Sequence, residues 1–254
     1  PDLKPEQSKS FEMGLKQGFK IGGVRGYLDI AGFYQRYRNT IEYLFGVWDP
    51  SVALIGFKFL NTGESRVRGV DISTAISSAE TNKKFGITAL IGYTYIEPVS
   101  LTPDSVYAHS QAIGGFGPGI NLSYKKASMD TTDNILKYRF KHMFKADVEV
   151  RVYKFSLGFS YRYYSRMQNI DKAFTDLEEL TYNAQTFFYQ IKATQYWKTH
   201  FGFEVIDMRL GCKLTERHKI SFIVNNLLNA DYSLRPMKIE APRTTSIQYV
   251  YSFN

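Results

Sequence analysis

"KFSLGFSYRYYSRM", residues 154–167, alternates strictly between two kinds of side chain. Every second residue is apolar or aromatic, and the residues between are mostly small, polar or charged. The apolar series is Phe155, Leu157, Phe159, Tyr161 and Tyr163, and the intervening series is Ser156, Gly158, Ser160, Arg162 and Tyr164. Because side chains of a strand point alternately to opposite faces, the stretch predicts a strand with one greasy and one wet face. The greasy face must contact either a protein core or lipid.

The same period of two recurs along the chain, so the sequence predicts nine strands. The other eight candidates are residues 11–21, 27–43, 69–77, 85–95, 144–152, 205–214, 218–227 and 245–253. Short connections at 22–25, 79–84, 153–154 and 215–218 alternate with long ones at 46–56, 98–136, 167–202 and 229–241. This order predicts an all-β, antiparallel up-and-down sheet with tight turns on one rim and long loops on the other.

The length and charge of the strands favour lipid as the contact of the greasy faces. The alternation runs over roughly nine to thirteen residues, which suits a tilted strand crossing a bilayer, whereas strands of soluble sandwiches are shorter. A Lys or Arg at the lipid midplane would cost about 2–4 kcal/mol, but little on a water-filled side. The charges predicted to face a watery lumen are Asp147, Glu149, Arg151, Arg162, Asp207 and Arg209. A lipocalin-type barrel, with the greasy faces inside, shows the same periodicity.

Composition excludes several other classes. The chain has 254 residues, a formal net charge of +8, 19 Tyr, 19 Phe and one cysteine. No apolar run approaches the ~20 residues of a spanning helix, which excludes a helical membrane protein. The four histidines are scattered without ligand spacing, and no nucleophile is singled out, so the sequence predicts no metal site, no cofactor and no enzyme. The aromatics follow the greasy faces rather than a basic groove, which argues against nucleic-acid binding.

Several segments resemble strands of TonB-dependent outer-membrane receptors, in the family's order. Residues 3–19, LKPEQSKSFEMGLKQGF, are similar to a mid-barrel strand of the pattern PE-x-S-x-x-x-E-x-G, and residues 28–41 to the strand that follows. Residues 61–72, NTGESRVRGVDI, resemble a glycine-containing strand in which Asp71 replaces the usual Glu. Three later strands are matched by YRFKHMFKADVEV (138–150), FIVNNLLNADY (222–232) and APRTTSIQYVYSF (241–253).

The resemblance implies a barrel of about 22 strands whose lumen is plugged by an N-terminal domain. It implies that residues 1–254 form the C-terminal portion of such a barrel, with the plug domain and the N-terminal strands absent from this chain. The tight turns would then be periplasmic and the long loops extracellular. Nine strands is an odd number, so the piece should have two open edges.

One extracellular loop, residues 182–203, is crowded with aromatic side chains. Exposed aromatics at this density usually mark a contact surface, although they could instead pack on neighbouring loops. The predicted substrate-binding residues are Tyr182, Phe187, Phe188, Tyr189, Tyr196 and Trp197.

The resemblance therefore implies a ligand-gated, energy-coupled importer in the Gram-negative outer membrane. The basic balance favours a ferric siderophore or another metal chelate, and oligosaccharide or peptide import is also allowed. The implied partners are outer-membrane lipid, the TonB energy-coupling complex acting through the absent plug, and an extracellular ligand, and a surface lipoprotein is left open. The alternatives are a passive porin or structural barrel, and a soluble β-sandwich binding module.

Overall fold

A computed structural model describes residues 3–49, 54–78, 84–110, 120–183, 192, 194–235 and 238–253. Nine strands of the described chain form one antiparallel sheet in the order β1-β2-β5-β6-β9-β10-β11-β12-β13. These strands are β1 (Gln7–Ile21), β2 (Val24–Arg38), β5 (Ser65–Ser78), β6 (Phe85–Ser100), β9 (His142–Val152), β10 (Phe155–Ser165), β11 (Gly202–Lys213), β12 (His218–Asn225) and β13 (Thr244–Tyr251). The nine predicted strands and their up-and-down order are therefore confirmed.

The sheet is open in this chain, because β1 and β13 are its two edges. Short and long connections alternate along it, as predicted. The tightest turns are two residues long, at Gly22–Gly23 and Tyr153–Lys154. Gly22 and Tyr153 have φ values of +58° and +52°, the left-handed conformation that lets a strand reverse within two residues. One rim of the sheet is therefore compact, and we call the opposite rim the long-loop rim.

Register places the greasy residues side by side across the sheet. One row runs through Val150, Leu157, Leu210, Phe222 and Ile247, each paired with the next. These side chains are not covered by a second layer of protein: Leu157 is 40% exposed, Leu210 44% and Ile247 73%. A sheet face that is apolar and uncovered requires an apolar solvent, because water would make this exposure unfavourable.

The long connections carry secondary structure of their own. They contain the hairpin β3 (Ile41–Asp49) and β4 (Leu54–Asn61), the hairpin β7 (Val106–Ser110) and β8 (Ile120–Ser123), and the helices α1 (Ala173–Asn183) and α2 (Gln195–Thr199). The predicted strand 27–43 is too long, since β2 ends at Arg38. Asn39 has φ +52° and turns the chain out of the sheet, so Ile41 begins a separate hairpin.

The best-buried apolar side chains lie mainly in these connections rather than in the sheet. A small core forms where the connections pack together at the long-loop rim. Its most buried members include Leu44, Tyr124, Ile135, Leu136, Ile170 and Phe174. The molecule thus consists of a one-layer wall with a packed loop assembly at one rim.

Candidate functional site

Asp171 joins three parts of the loop assembly. Its carboxylate accepts hydrogen bonds from the Lys137 ammonium at 2.7 Å, from the backbone N–H of Phe45 at 2.6 Å, and from the Tyr138 hydroxyl. The Lys137 and Asp171 side chains are 0% and 1% exposed. Burial lowers the pKa of Lys137, opposed by the charge of Asp171, and burial together with Asp171 raises the pKa of Tyr138. Asp171, through its hydrogen bond from Phe45, anchors hairpin β3–β4 on the chain that precedes α1.

A ladder of aromatic rings runs from the surface of the hairpin into this core. Phe59 and Tyr43 have centroids 4.6 Å apart, and Tyr43 stacks on Phe57 at 4.6 Å. Phe57 contacts Phe45 edge-on at 5.3 Å, and Phe45 stacks on Phe174 of α1 at 4.3 Å. Offset and edge-on pairs at these distances are favourable beyond the area they bury. The ladder is buried at Phe174 and open at Phe59 and Tyr43.

The open end of the ladder borders a cleft of about 470 Å³. Three long connections contribute to it: those between β2 and β5, between β6 and β9, and between β12 and β13. The lining residues are Ile41, Glu42, Tyr43, Phe57, Phe59, Tyr138, Arg139, Leu234 and Arg235. Strands β5 and β12 lie five positions apart in the sheet, about 24 Å at the usual strand spacing. The loops must therefore lean together over the sheet to form the cleft.

Two guanidinium groups and a buried carboxylate set the charge of the cleft. Arg139 donates from Nη2 to Oε1 of Glu42 at 3.2 Å, and Arg235 is exposed. The Glu42 side chain is only 2% exposed. Burial raises the pKa of Glu42, and the charge of Arg139 opposes that rise. The cleft thus offers aromatic faces and a net positive charge, which together suit an anion with flat rings.

The described residues of the set predicted from loop 182–203, which are Tyr182, Tyr196 and Trp197, do not line this cleft. Tyr182 lies in the last turn of α1, and its side chain is 73% exposed. Trp197 is half-buried, donates from Nε1 to the Met167 carbonyl at 2.6 Å, and stacks with Arg166. Tyr196 is also half-buried and donates its hydroxyl to the Asp231 carbonyl at 3.2 Å. Phe187, Phe188 and Tyr189 lie outside the described residues, so the contact surface predicted for this loop stays a prediction.

The six charged residues predicted to face a lumen lie on one face of the sheet, opposite the greasy rows. Arg209 donates to Asp147 at 2.9 Å and to the Ser160 hydroxyl at 2.7 Å, and Arg162 donates to Asp207 at 3.0 Å. Gly158 pairs with Arg209 in register, and a Cβ there would come 3.0 Å from the Arg209 guanidinium, so the glycine leaves room for this side chain. The remaining two, Glu149 and Arg151, occupy the same face of β9.

Within the described residues no group of three or more His, Cys, Asp or Glu side chains could hold a metal ion. The helices of the described chain are too short or too polar to cross a membrane.

Sequence reasoning missed the cleft residues because they are far apart in the chain. Glu42 and Arg139 are separated by 97 positions. The available signal was local: the alternation in Ile41–Phe45 and again around Phe57 and Phe59 puts aromatic rings on one face of a hairpin. Nothing in either segment indicates that Arg235 joins them.

Comparison with known proteins identifies the family. The chain matches the family described as "TonB dependent receptor-like, beta-barrel" over residues 1–227. The search of curated proteins gave no match. Similar solved structures include the ferric-catecholate import receptor Fiu of E. coli K12 (17% identity, TM-score 0.57, 99% of this chain and 28% of that one). The copper transporter OprC is 13% identical with a TM-score of 0.55, and the match covers 99% of this chain and 32% of that one. The FrpB iron transporter of Neisseria meningitidis is 15% identical with a TM-score of 0.53, and the match covers 99% of this chain and 32% of that one. The chain spans about a third of these receptors, and it belongs to the TonB-dependent receptor-like β-barrel family of the outer membrane.

Proposed function

We propose that this chain forms part of the wall and part of the ligand surface of an energy-coupled importer. Its ligand would be an anionic metal chelate carrying flat aromatic groups, of which a ferric siderophore is the leading example. The observation that carries the proposal is the cleft, where the exposed rings of Tyr43 and Phe59 stand beside Arg139 and Arg235. Opening of the pore would require TonB to act through a plug domain.

The chemistry of the cleft supports this ligand class over sugars and peptides. A desolvated cation over a ring, or a ring stacked on a ring, contributes about 0.5–2 kcal/mol per contact. A guanidinium also binds carboxylate or phenolate oxygens through two parallel hydrogen bonds. Solved relatives in fold include receptors for ferric catecholates and for iron. The net charge of +8 acts in the same direction, by attracting anions toward the mouth.

The wet face of the sheet would line the bore. Asp147, Arg162, Asp207 and Arg209 satisfy one another in cross-strand pairs there. A wall whose charges are neutralised in this way lets a charged solute pass without capturing it. The greasy rows would contact outer-membrane lipid, and the long loops would be extracellular. We propose no catalytic role for any residue. The exposed side chain of Tyr182 is a candidate contact for a surface lipoprotein partner.

Binding and uptake of ferric 2,3-dihydroxybenzoate by the complete receptor tests the proposal. We expect saturable, TonB-dependent uptake of radioactive iron, and at least tenfold weaker binding when Arg139 and Arg235 are both changed to Gln. Arg217→Gln, on the tight-turn rim, is the matched control and should leave binding unchanged. Uptake that is non-saturable and independent of TonB would favour a passive porin. Binding of a maltodextrin or peptide but not of the iron complex would assign a different ligand class.

A further inference from the structure

Arg139 faces the cleft but already has an anionic partner. Its guanidinium donates to Glu42 at 3.2 Å, and its side chain is 42% exposed, whereas the Glu42 side chain is 2% exposed. Within the described part of the chain, Glu42 is the one carboxylate that pairs with Arg139. An anionic ligand that enters the cleft therefore competes with Glu42 for the same guanidinium.

Among the described residues, no cation other than Arg139 forms an ion pair with Glu42, although Arg235 also lines the cleft. The charged and titratable groups that act on Glu42 from the surrounding elements are Arg139, Lys137, Asp171, Glu6, Tyr107 and Tyr124. The charge of Lys137 also acts on Glu42, but the Lys137 ammonium is bound to Asp171 at 2.7 Å. The Glu6 carboxylate accepts the backbone N–H of Ile41 at 2.8 Å and adds negative charge.

We propose that Glu42 is a resident counter-anion of the cleft, which the ligand displaces from Arg139, and that binding is thereby coupled to uptake of a proton by Glu42. This inference rests on the proposed function, because it takes the cleft as the ligand site. It adds a requirement on the ligand: an anion with two acidic groups can hold Arg235 with one group while the other displaces Glu42.

The coupling follows from the burial of Glu42. A buried carboxylate that loses its counter-charge is strongly destabilised as an anion. Protonation removes the unpaired charge and is the change that costs the least free energy. Protonation favours the ligand-bound state, so affinity for a permanently charged anion should rise as the pH falls. If one proton is taken up on binding, the affinity changes by at most about tenfold per pH unit. This change is confined to the pH range between the pKa of Glu42 in the free receptor and its pKa in the complex.

The test uses the complete receptor in detergent micelles, with 1,5-naphthalenedisulfonate as the probe. Both sulfonates stay ionised between pH 5 and 8, so any pH dependence of binding belongs to the protein. We expect the affinity of the wild type to rise several-fold from pH 8 to pH 5. Glu42→Gln should bind about tenfold more tightly at pH 8 and lose the pH dependence, because Arg139 is then free of a charged competitor. Glu6→Gln removes a neighbouring carboxylate that does not pair with Arg139. It should shift the pH dependence toward lower pH, because Glu6 raises the pKa of Glu42, but it should not abolish the dependence.

Calorimetry of the wild type in buffers of different ionisation enthalpy counts the protons taken up and needs no variant that could misfold. Uptake that approaches one proton per probe supports the inference. Zero uptake over the whole range, or a Glu42→Gln receptor with unchanged affinity and pH profile, overturns it. If Arg139→Gln abolishes binding in that case, the cleft remains the ligand site and only the coupling is wrong. If neither Arg139→Gln nor Arg235→Gln alters binding at any pH, the proposed site itself fails.

Discussion

Asp171 stabilises the loop assembly because it neutralises Lys137 where water cannot. We expect Asp171→Asn to destabilise the docking of hairpin β3–β4 by about 3–5 kcal/mol, the usual effect of leaving one partner of a buried ion pair alone. Limited proteolysis of the complete receptor should then cut within residues 41–49 or 54–61 faster than it cuts the wild type.

The matched control is Asp176→Asn. Asp176 pairs with Lys172 at 3.4 Å on the surface of α1, where both side chains are at least 40% exposed. Loss of such a pair should cost under about 1 kcal/mol and leave the hairpin protected. Equal cleavage of the two variants would show that the hairpin is not held by Asp171.

Gly69 is required for close packing within the sheet. A Cβ at this position would lie 2.1 Å from the Tyr95 carbonyl oxygen and 2.7 Å from the ring of Phe33 on the neighbouring strand. We expect Gly69→Ala to lower the unfolding free energy of the receptor by about 1–3 kcal/mol, as other overpacked sites do. The folded receptor should convert to the unfolded band at a lower temperature in heated gel samples.

Gly32 provides the comparison, since the nearest atom to a Cβ there is the Gly69 oxygen at 4.0 Å. Gly32→Ala should convert at the wild-type temperature or slightly above it, because alanine restricts the unfolded chain. A lower temperature for Gly32→Ala than for Gly69→Ala would contradict the steric explanation.

At the scale of elements, the strands were predictable and the loop structure was not. Alternation is a local signal, and it identified all nine strands of the sheet together with their faces. It placed the end of β2 too late, because the period of two resumes at Ile41, Tyr43 and Phe45. The apolar residues have shifted there from even to odd positions, and the left-handed backbone of Asn39 redirects the chain. The helix α1 left a weak signal, with Phe174 and Leu177 at helical spacing.

The cleft could not be predicted from sequence, because its residues are brought together by three separate connections. Glu42 looks like any solvent-facing residue of an alternating strand, and only the packing of Leu44 and Tyr124 around the loop core shows that this face is buried. Periodicity reports which residues share a face of an element, and it carries no information on which element covers that face.

Hairpin β3–β4 should be separable from the wall of the barrel. Two backbone hydrogen bonds of 2.8 Å close its base. The Thr40 N–H donates to the Gly63 carbonyl, and the Thr62 N–H donates to the Thr40 carbonyl. The pairing of β2 with β5 ends just below, at Tyr37 and Ser65. Replacing residues 41–61 with a short Gly-Ser linker should therefore keep assembly in the outer membrane while ferric 2,3-dihydroxybenzoate binding falls at least tenfold.

Assembly of that variant is checked by surface labelling and by the heat-dependent shift of the folded band. A shortened receptor that still binds the complex with wild-type affinity would place the ligand site outside the cleft. A receptor that fails to assemble would show that the hairpin is needed to hold β2 against β5.

At the scale of the whole molecule, stability comes from two different sources. The loop assembly has a conventional core, with Ile170 and Phe174 fully buried. The sheet buries few apolar side chains, and its apolar rows are uncovered, so its stability depends on lipid outside and on hydrogen bonds within the sheet. Substitutions on the two faces of the sheet should consequently have opposite tolerances.

Phe159 and Thr88 test this difference at nearly the same depth, since they occupy adjacent register rows, beside Val148 and Glu149 respectively. Phe159 is 42% exposed on the greasy face, and Thr88 is exposed on the wet face. Phe159→Arg should destabilise the receptor by about 2–4 kcal/mol in lipid and reduce its amount in the outer membrane. Thr88→Arg should be tolerated, because its guanidinium reaches water and the Glu149 carboxylate. Urea unfolding in phospholipid vesicles measures both, and equal tolerance of the two arginines would mean that the greasy face does not contact lipid.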